Sequence, residues 1–278
     1  IVFLKGCPLR CQWCDNPESQ KKETQIFLIT DRCICCGQCV AVCPQGATTL
    51  SNGQIRFNRR RCIACGKCIE TCYAGARVLV GKHMTARAVL EEISKDLKFY
   101  RRSGGGVTLS GGEPFSQAEF AREILRGCHE RNIHTAIETS GYADWGKAEV
   151  VLRNVDLVIM DIKHMGSLSH RRFTGVPNEP ILENAKKISE LKIPMIIRLP
   201  IIPGYNDSEE NMEATALYVA KLNSVDKVEL LTYHSLGYPK YRRLGRKYQL
   251  RNLKPPSNGH MERLREIVAS HGLKCEFM

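Results

Sequence analysis

The chain of 278 residues sets 41 Lys and Arg against 29 Asp and Glu, a formal charge of +12, with 43% hydrophobic and 25% charged residues. This excludes a disordered chain, leaves room for one α/β domain near ~250 residues with an insert, and offers no run of the ~18 apolar residues that cross a bilayer. The anomaly is 14 cysteines, 12 of them between Cys7 and Cys72; in a chain this long, C-x2-C steps read as metal sites in a reducing cytoplasm, not as the disulfides of a small secreted domain.

The chain opens on "IVFLKG", a first strand too short for a signal-peptide core. It runs into "GCPLRCQWCDNPE", which holds Cys7, Cys11 and Cys14 as C-x3-C-x2-C. Four thiolates would close a tetrahedral zinc or iron–sulfur site, but no fourth cysteine follows. Of the distant ones, Cys128 shares a helical face with Ala121, Ile124 and Leu125 and reads as core, and Cys275 lies near the end of the chain. One iron is left open, as a catalytic centre keeps a coordination position that a structural one closes.

Residues 24–82 read as an inserted domain in which a cysteine pattern repeats with an offset of 29 residues, "CICCGQCVAVCP" and then "CIACGKCIETC". Cys33, Cys36, Cys39 and Cys43 followed by Pro44, and Cys62, Cys65, Cys68 and Cys72 followed by Tyr73, carry the C-x2-C-x2-C-x3-C spacing of bacterial ferredoxins. In that spacing the fourth cysteine serves the other cube. One cluster therefore takes Cys33, Cys36, Cys39 and Cys72, and the other Cys62, Cys65, Cys68 and Cys43. Cys35 is out of register, and zinc modules rarely set four cysteines in such a run.

Helical and strand patterns alternate over residues 83–278. "TARAVLEEISKDLKFY" predicts a helix capped by Thr85, and "GGGVTLSGGEP" a second strand that ends in glycines. Helix Gln117–Arg131, strand "HTAIETSG", helix Lys147–Arg153, strand "VDLVIMDIK", helix Pro180–Leu191, strand "PMIIRLPII", helix Ser208–Leu222, strand "KVELLTYH" and helix His260–Ser270 follow. Six strands, each followed in turn by a helix, predict an α/β parallel sheet buried on both faces. An open barrel and a flat sheet share this periodicity, and both put chemistry at the carboxyl ends of the strands. Glycines after the second strand permit close backbone approach to a ligand. Glu138, Thr139, Asp161, Lys163 and Arg198 project near one rim, and polar groups of both signs gathered there mark it as a candidate ligand site. Taken singly, each reads as a solvated charge or as an ion pair such as Asp161–Lys163.

The C-x3-C-x2-C run, with Trp13 before its third cysteine, resembles the signature of radical S-adenosylmethionine (SAM) enzymes. In that family SAM chelates the open iron, and an electron from the cluster cleaves it to methionine and a 5′-deoxyadenosyl radical. The resemblance gives Cys7, Cys11 and Cys14 the SAM-cleaving cluster, sets Trp13 at the cofactor, and gives Gly111, Gly112 and Glu113 of "SGGEP" the amino group of SAM. The whole pattern is similar to the glycyl radical enzyme activating enzymes, in their longer form with a two-cluster insert. It implies a partial, open (β/α)6 TIM-like barrel over residues 1–23 and 83–278 with a ferredoxin-like 2[4Fe-4S] insert. It also implies a SAM pocket that includes Asp161, Lys163, Arg198 and His234, the last reading equally as a packed or solvent-facing histidine. Some members bind a monovalent cation beside SAM with an acidic residue and a Thr at the third strand, here Glu138 and Thr139.

The implied protein is a monomeric cytoplasmic enzyme that takes electrons from flavodoxin or ferredoxin and abstracts hydrogen from a backbone glycine of a larger partner, a glycyl radical enzyme. A radical SAM enzyme acting directly on a small molecule or another peptide is the alternative. A ferredoxin-like electron carrier would leave Cys7, Cys11, Cys14 and "SGGEP" idle. Eleven thiolates on three [4Fe–4S]²⁺ cores would lower the net charge to about +7, which still suits an acidic electron carrier. Nucleic acid has only that charge to recommend it, since the basic pairs are scattered as solvated faces usually are.

Overall fold

The computed structural model describes residues 1–278. Its main sheet has seven strands: β1 Val2–Leu4, β2 Gly106–Gly111, β3 His134–Thr139, β4 Leu157–Asp161, β5 Met195–Ile201, β6 Val225–Thr232 and β7 Cys275–Phe277. Neighbours pair in chain order, and every pairing is parallel. β1 and β7 remain as free edges, so the α/β barrel is open. Six of these strands stand where the sequence predicts them. β7 was not expected, because three residues at the end of the chain are too short a run for periodicity to register.

Strand residues alternate between two faces, and here the faces differ in chemistry. Leu109, Ile137, Val158, Met160, Ile197, Leu199 and Leu230 point outward into one large apolar core with the surrounding helices. Cys128 lies fully buried in that core, as its helical register predicts. The opposite, inner face carries Ser110, Glu138, Arg198 and Glu229, which hydrogen-bond to one another across the strands.

Several helix starts are set by local chemistry. Thr85, Asp144, Ser208 and Ser257 each accept a backbone N–H three residues on, which satisfies one of the otherwise orphaned donors of a first turn. The helix predicted from Thr85 is two, Ala86–Ser94 and Leu97–Ser103, and helices Ser167–Thr174 and Tyr238–Arg243 add to the sequence reading.

Between β1 and the helix at Ala86 the chain builds two small antiparallel sheets, Gln25–Leu28 with Arg77–Val80 and Thr48–Ser51 with Gln54–Phe57. Two single-turn helices, Gln38–Ala41 and Lys67–Glu70, sit at matching places in the two cysteine repeats. This unit is tied to the barrel by Arg59, which donates to the carbonyls of Ile26 and Arg243, each at 2.5 Å, and by the Arg242–Asp31 ion pair at 3.2 Å.

Candidate functional site

The loop after β1 brings Cys7, Cys11 and Cys14 together at the carboxyl ends of the strands, and two neighbours hold it there. Helix Ser167–Thr174 offers its last carbonyls: Arg10 N–H donates to Thr174 O at 2.6 Å and Gln12 N–H to Phe173 O at 3.1 Å. The turn after β2 supplies the other: Gly112 N–H donates to Leu4 O at 2.8 Å, and Glu113 N–H to Gly6 O at 2.7 Å. A Cβ on Gly112 would lie 2.3 Å from Gly6 O, and Gly111 has φ +107°, so both positions demand glycine. The close approach expected of these glycines is thus made to the chain's own cysteine loop.

Glu113 is fully buried behind that turn. One carboxylate oxygen accepts from Thr139 Oγ1 at 2.8 Å and Phe115 N at 3.2 Å, the other from Ser140 N at 2.9 Å and Ser140 Oγ at 2.6 Å. Burial raises its pKa, and the four donors pull against that. The side chain is saturated within the protein, so what "SGGEP" presents outward is backbone.

Burial pushes the Cys7 thiol up to about 11 and the Cys11 thiol to about 12, and raises Cys14 as well. Neighbouring thiols add to this, since three adjacent thiolates repel one another. Near neutral pH such a trio gains its negative charge by binding a cation, which fits an iron–sulfur cluster. Lys163 lies beside it, buried and donating to Asp161 at 2.8 Å. Burial alone would lower its pKa, but Asp161 and the thiols outweigh that and hold it above its ordinary value. Trp13 is buried among Phe173 and Tyr205, with ring centroids 6.4 and 6.0 Å away, and so forms the packed underside of the loop.

Arg198 is bound on both sides, to Glu138 at 2.6 Å and to Glu229 at 2.8 Å. Glu138 also accepts from Ser110 Oγ. Thr139, the next residue, turns to the opposite face and donates to Glu113. Glu138 and Thr139, adjacent in the strand, thus point to opposite faces, and Arg198 pairs with the Glu138 carboxylate. His234 is exposed and stands 3.5 Å from Asp15, the residue after Cys14, so it borders the loop through a carboxylate. Glu229 was not foreseen from the sequence. Its register opposite Arg198 is the signal, and that requires the strand pairing.

In the insert, Cys33, Cys36, Cys39 and Cys72 line one pocket, and Cys43, Cys62, Cys65 and Cys68 line another. Each pocket thus takes three in-register thiols from one repeat and one from the other, and the out-of-register Cys35 also lines the first. The donor sets fit a ferredoxin-type pair of clusters, and a buried guanidinium nitrogen of Arg77 without a partner beside them fits anionic occupants.

Residues 65–216 match the family model of the radical SAM superfamily, and residues 25–73 that of a 4Fe-4S dicluster domain. The chain is 42% identical over 276 residues to the (2S)-3-sulfopropanediol sulfolyase activating enzyme of Bilophila wadsworthia (strain 3_1_6), covering 98% of this chain and 91% of that protein. It is 44% identical over 253 residues to the isethionate sulfite-lyase activating enzyme of Oleidesulfovibrio alaskensis, covering 88% and 81%. A solved domain of a pyruvate-formate lyase-activating enzyme from Bacteroides vulgatus ATCC 8482 superposes with a TM-score of 0.54 at 33% identity, over 63% of this chain and 99% of that one.

Proposed function

The chain belongs to the radical SAM superfamily and, within it, to the glycyl radical enzyme activating enzymes, and from that premise we propose which of its residues carry the reaction. Cys7, Cys11 and Cys14 hold the catalytic [4Fe-4S] cluster, and the eight insert cysteines hold two more. When bound, the catalytic cluster and SAM supply methionine and a 5′-deoxyadenosyl radical, which takes a hydrogen atom from a backbone glycine of the partner enzyme.

The chain's own groups prepare that event. The Gly111–Gly112 backbone locks the cysteine loop against β1 and forms one wall for the cofactor. Lys163, fixed by Asp161, sets a positive charge beside the anionic cluster. Arg198, Glu138 and Glu229 line the inner face with charges of both signs, which suits a zwitterion. His234 and Asp15 border the loop on the β6 side. Because the sheet has free edges, the mouth of the barrel can admit a partner's glycine-bearing loop. Flavodoxin or ferredoxin, as acidic carriers, suit the basic surface, and the abundance of cysteines in C-x2-C steps suits a reducing cytoplasm, in which the enzyme works as a monomer.

The observation that carries this reading is the trio of Cys11, buried, and Cys7 and Cys14, half-buried, facing Lys163, with no further cysteine in its loop. The test is anaerobic reconstitution with SAM, a reductant and candidate glycyl radical enzymes. We expect 5′-deoxyadenosine to form together with a glycyl radical signal in electron paramagnetic resonance, and both to vanish in Cys11→Ala. Formation of a coupled small-molecule product with no partner protein present would refute the assignment.

A further inference from the structure

The insert is built from two copies of one pattern, and the copies differ at one buried position. Counting on 29 residues from the first repeat, Cys43 matches Cys72, Ala47 matches Ala76, and Thr48 matches Arg77. The equivalence holds in three dimensions, since Ala47 N–H donates to Cys43 Sγ at 3.2 Å and Ala76 N–H to Cys72 Sγ at 3.3 Å. Thr48 and Arg77 touch each other: Arg77 Nη2 donates to Thr48 Oγ1 at 3.2 Å. Equivalent residues in mutual contact straddle the pseudo-twofold axis that relates the repeats. Thr48 lines the Cys43/Cys62/Cys65/Cys68 pocket, and Arg77 lines the other. The guanidinium therefore lies on the wall between them.

Its surroundings are unusual for a charge. Arg77 is 3% exposed. It donates to Cys39 Sγ at 3.7 Å and stacks over the Phe57 ring at 4.4 Å, while Nη1 is buried without a partner. No Asp or Glu pairs with it. Arg59 stacks on the same ring at 4.7 Å, and burial together with Arg77 pushes its pKa down to about 10. A guanidinium does not neutralise itself in proteins, and an unpaired buried charge is costly, so an anion belongs here. A [4Fe-4S] core with four thiolates carries net negative charge.

We propose that Arg77 is the shared counter-ion of the two insert clusters and raises the reduction potential of both. This rests on the assignment of the eight insert cysteines to two clusters. Hydrogen bonds to cluster sulfur and added positive charge both favour the reduced form. The direct N–H···S contact goes to Cys39, so the larger effect falls on the cluster of Cys33, Cys36, Cys39 and Cys72. The second cluster feels the charge through the shared wall. The repeats thereby make two inequivalent electron sites from nearly equal sequences.

The test is a redox titration, followed by electron paramagnetic resonance, of the reconstituted full chain carrying Cys7→Ala, Cys11→Ala and Cys14→Ala, so that only insert clusters report. Iron and sulfide content are measured alongside. Arg77→Gln is expected to raise the oxidised-to-reduced ratio of the first cluster at least tenfold at a fixed potential, about 59 mV for a one-electron couple. Arg77→Lys, which keeps the charge but loses the fork, is expected to shift it in the same direction by less. Should Arg77→Gln take up no iron, Arg77→Lys carries the test. A loaded variant of either kind with the parent's ratio overturns the proposal, as does a larger shift in Lys than in Gln, which would indicate packing instead of charge. Absence of any cluster signal in the parent would instead take down the reading of the eight cysteines, and this inference with it.

Discussion

Glu113 shows how a residue can serve a site from behind it. Its two carboxylate oxygens accept four hydrogen bonds from Thr139, Ser140 and Phe115, the full complement of an ionised, acceptor-only group. The same residue's N–H fixes Gly6, the residue before Cys7. Replacing it by glutamine turns one acceptor into a donor facing donors, which leaves at least one buried group unsatisfied at a cost of about 1–3 kcal/mol. Glu113→Gln is therefore expected to lower the unfolding free energy by that amount, read as a lower denaturant midpoint at unchanged m-value, and to release iron from the Cys7–Cys11–Cys14 loop while the insert keeps its own. Full retention of iron in the loop, measured in a chain whose insert cysteines are replaced by alanine, would show that the carboxylate does not brace it. Gly112→Ala should act on the same loop more severely, because its Cβ meets backbone, which cannot step aside.

At the scale of elements, the cysteine loop leans on helix Ser167–Thr174, whose C-terminal carbonyls receive the N–H groups of Arg10 and Gln12. His170 anchors that helix from inside: it is 1% exposed, and its Nδ1 lies 2.7 Å from Val176 O. Burial lowers its pKa, the nearby Lys163 and His164 lower it further, and the Val176 carbonyl opposes them. With the folded pKa below the unfolded value of about 6.5, the unfolded chain binds the proton first, so stability is full above that pH and falls as pH drops beneath it. The slope for one proton is at most about 1.4 kcal/mol per pH unit. His170→Asn, which keeps a donor near Nδ1 but does not titrate, should flatten the fall in denaturant midpoint between pH 6.5 and 5; an unchanged slope would place the titration elsewhere. This helix was also the hardest element to read in the sequence. "SLSHRRFT" buries only His170 and Thr174, so no apolar stripe marks it, whereas "DLVIM" and "MIIRLPI" announce strands covered on both faces. The charges at the strand ends were legible as a gathering but not as pairs, because Glu138–Arg198–Glu229 depends on register, which a one-residue slip would undo.

For the whole molecule, the question is how a small unit with two short sheets stays folded beside a barrel with its own large core. Residues 24–82 contribute no member to either apolar cluster, and Arg77 brings an unpaired charge into their centre. Metal binding must then supply much of the folding free energy, as in small metallo-domains generally. The exchange of fourth ligands makes that binding a joint property of both repeats, since each pocket needs Cys43 or Cys72 from the other copy. This leads to a pattern of non-additivity that simple repeat-by-repeat ligation does not produce. In a Cys35→Ala parent, which removes the out-of-register thiol from the first pocket, Cys72→Ala is expected to release the iron of one cluster. Adding Cys36→Ala should release nothing more, because both residues serve the same cube. Adding Cys65→Ala instead should empty the second cube too, although Cys65 and Cys72 belong to the same run of sequence. If each repeat held its own cluster, the two double variants would trade outcomes, so iron and sulfide counted per chain decide between the arrangements directly.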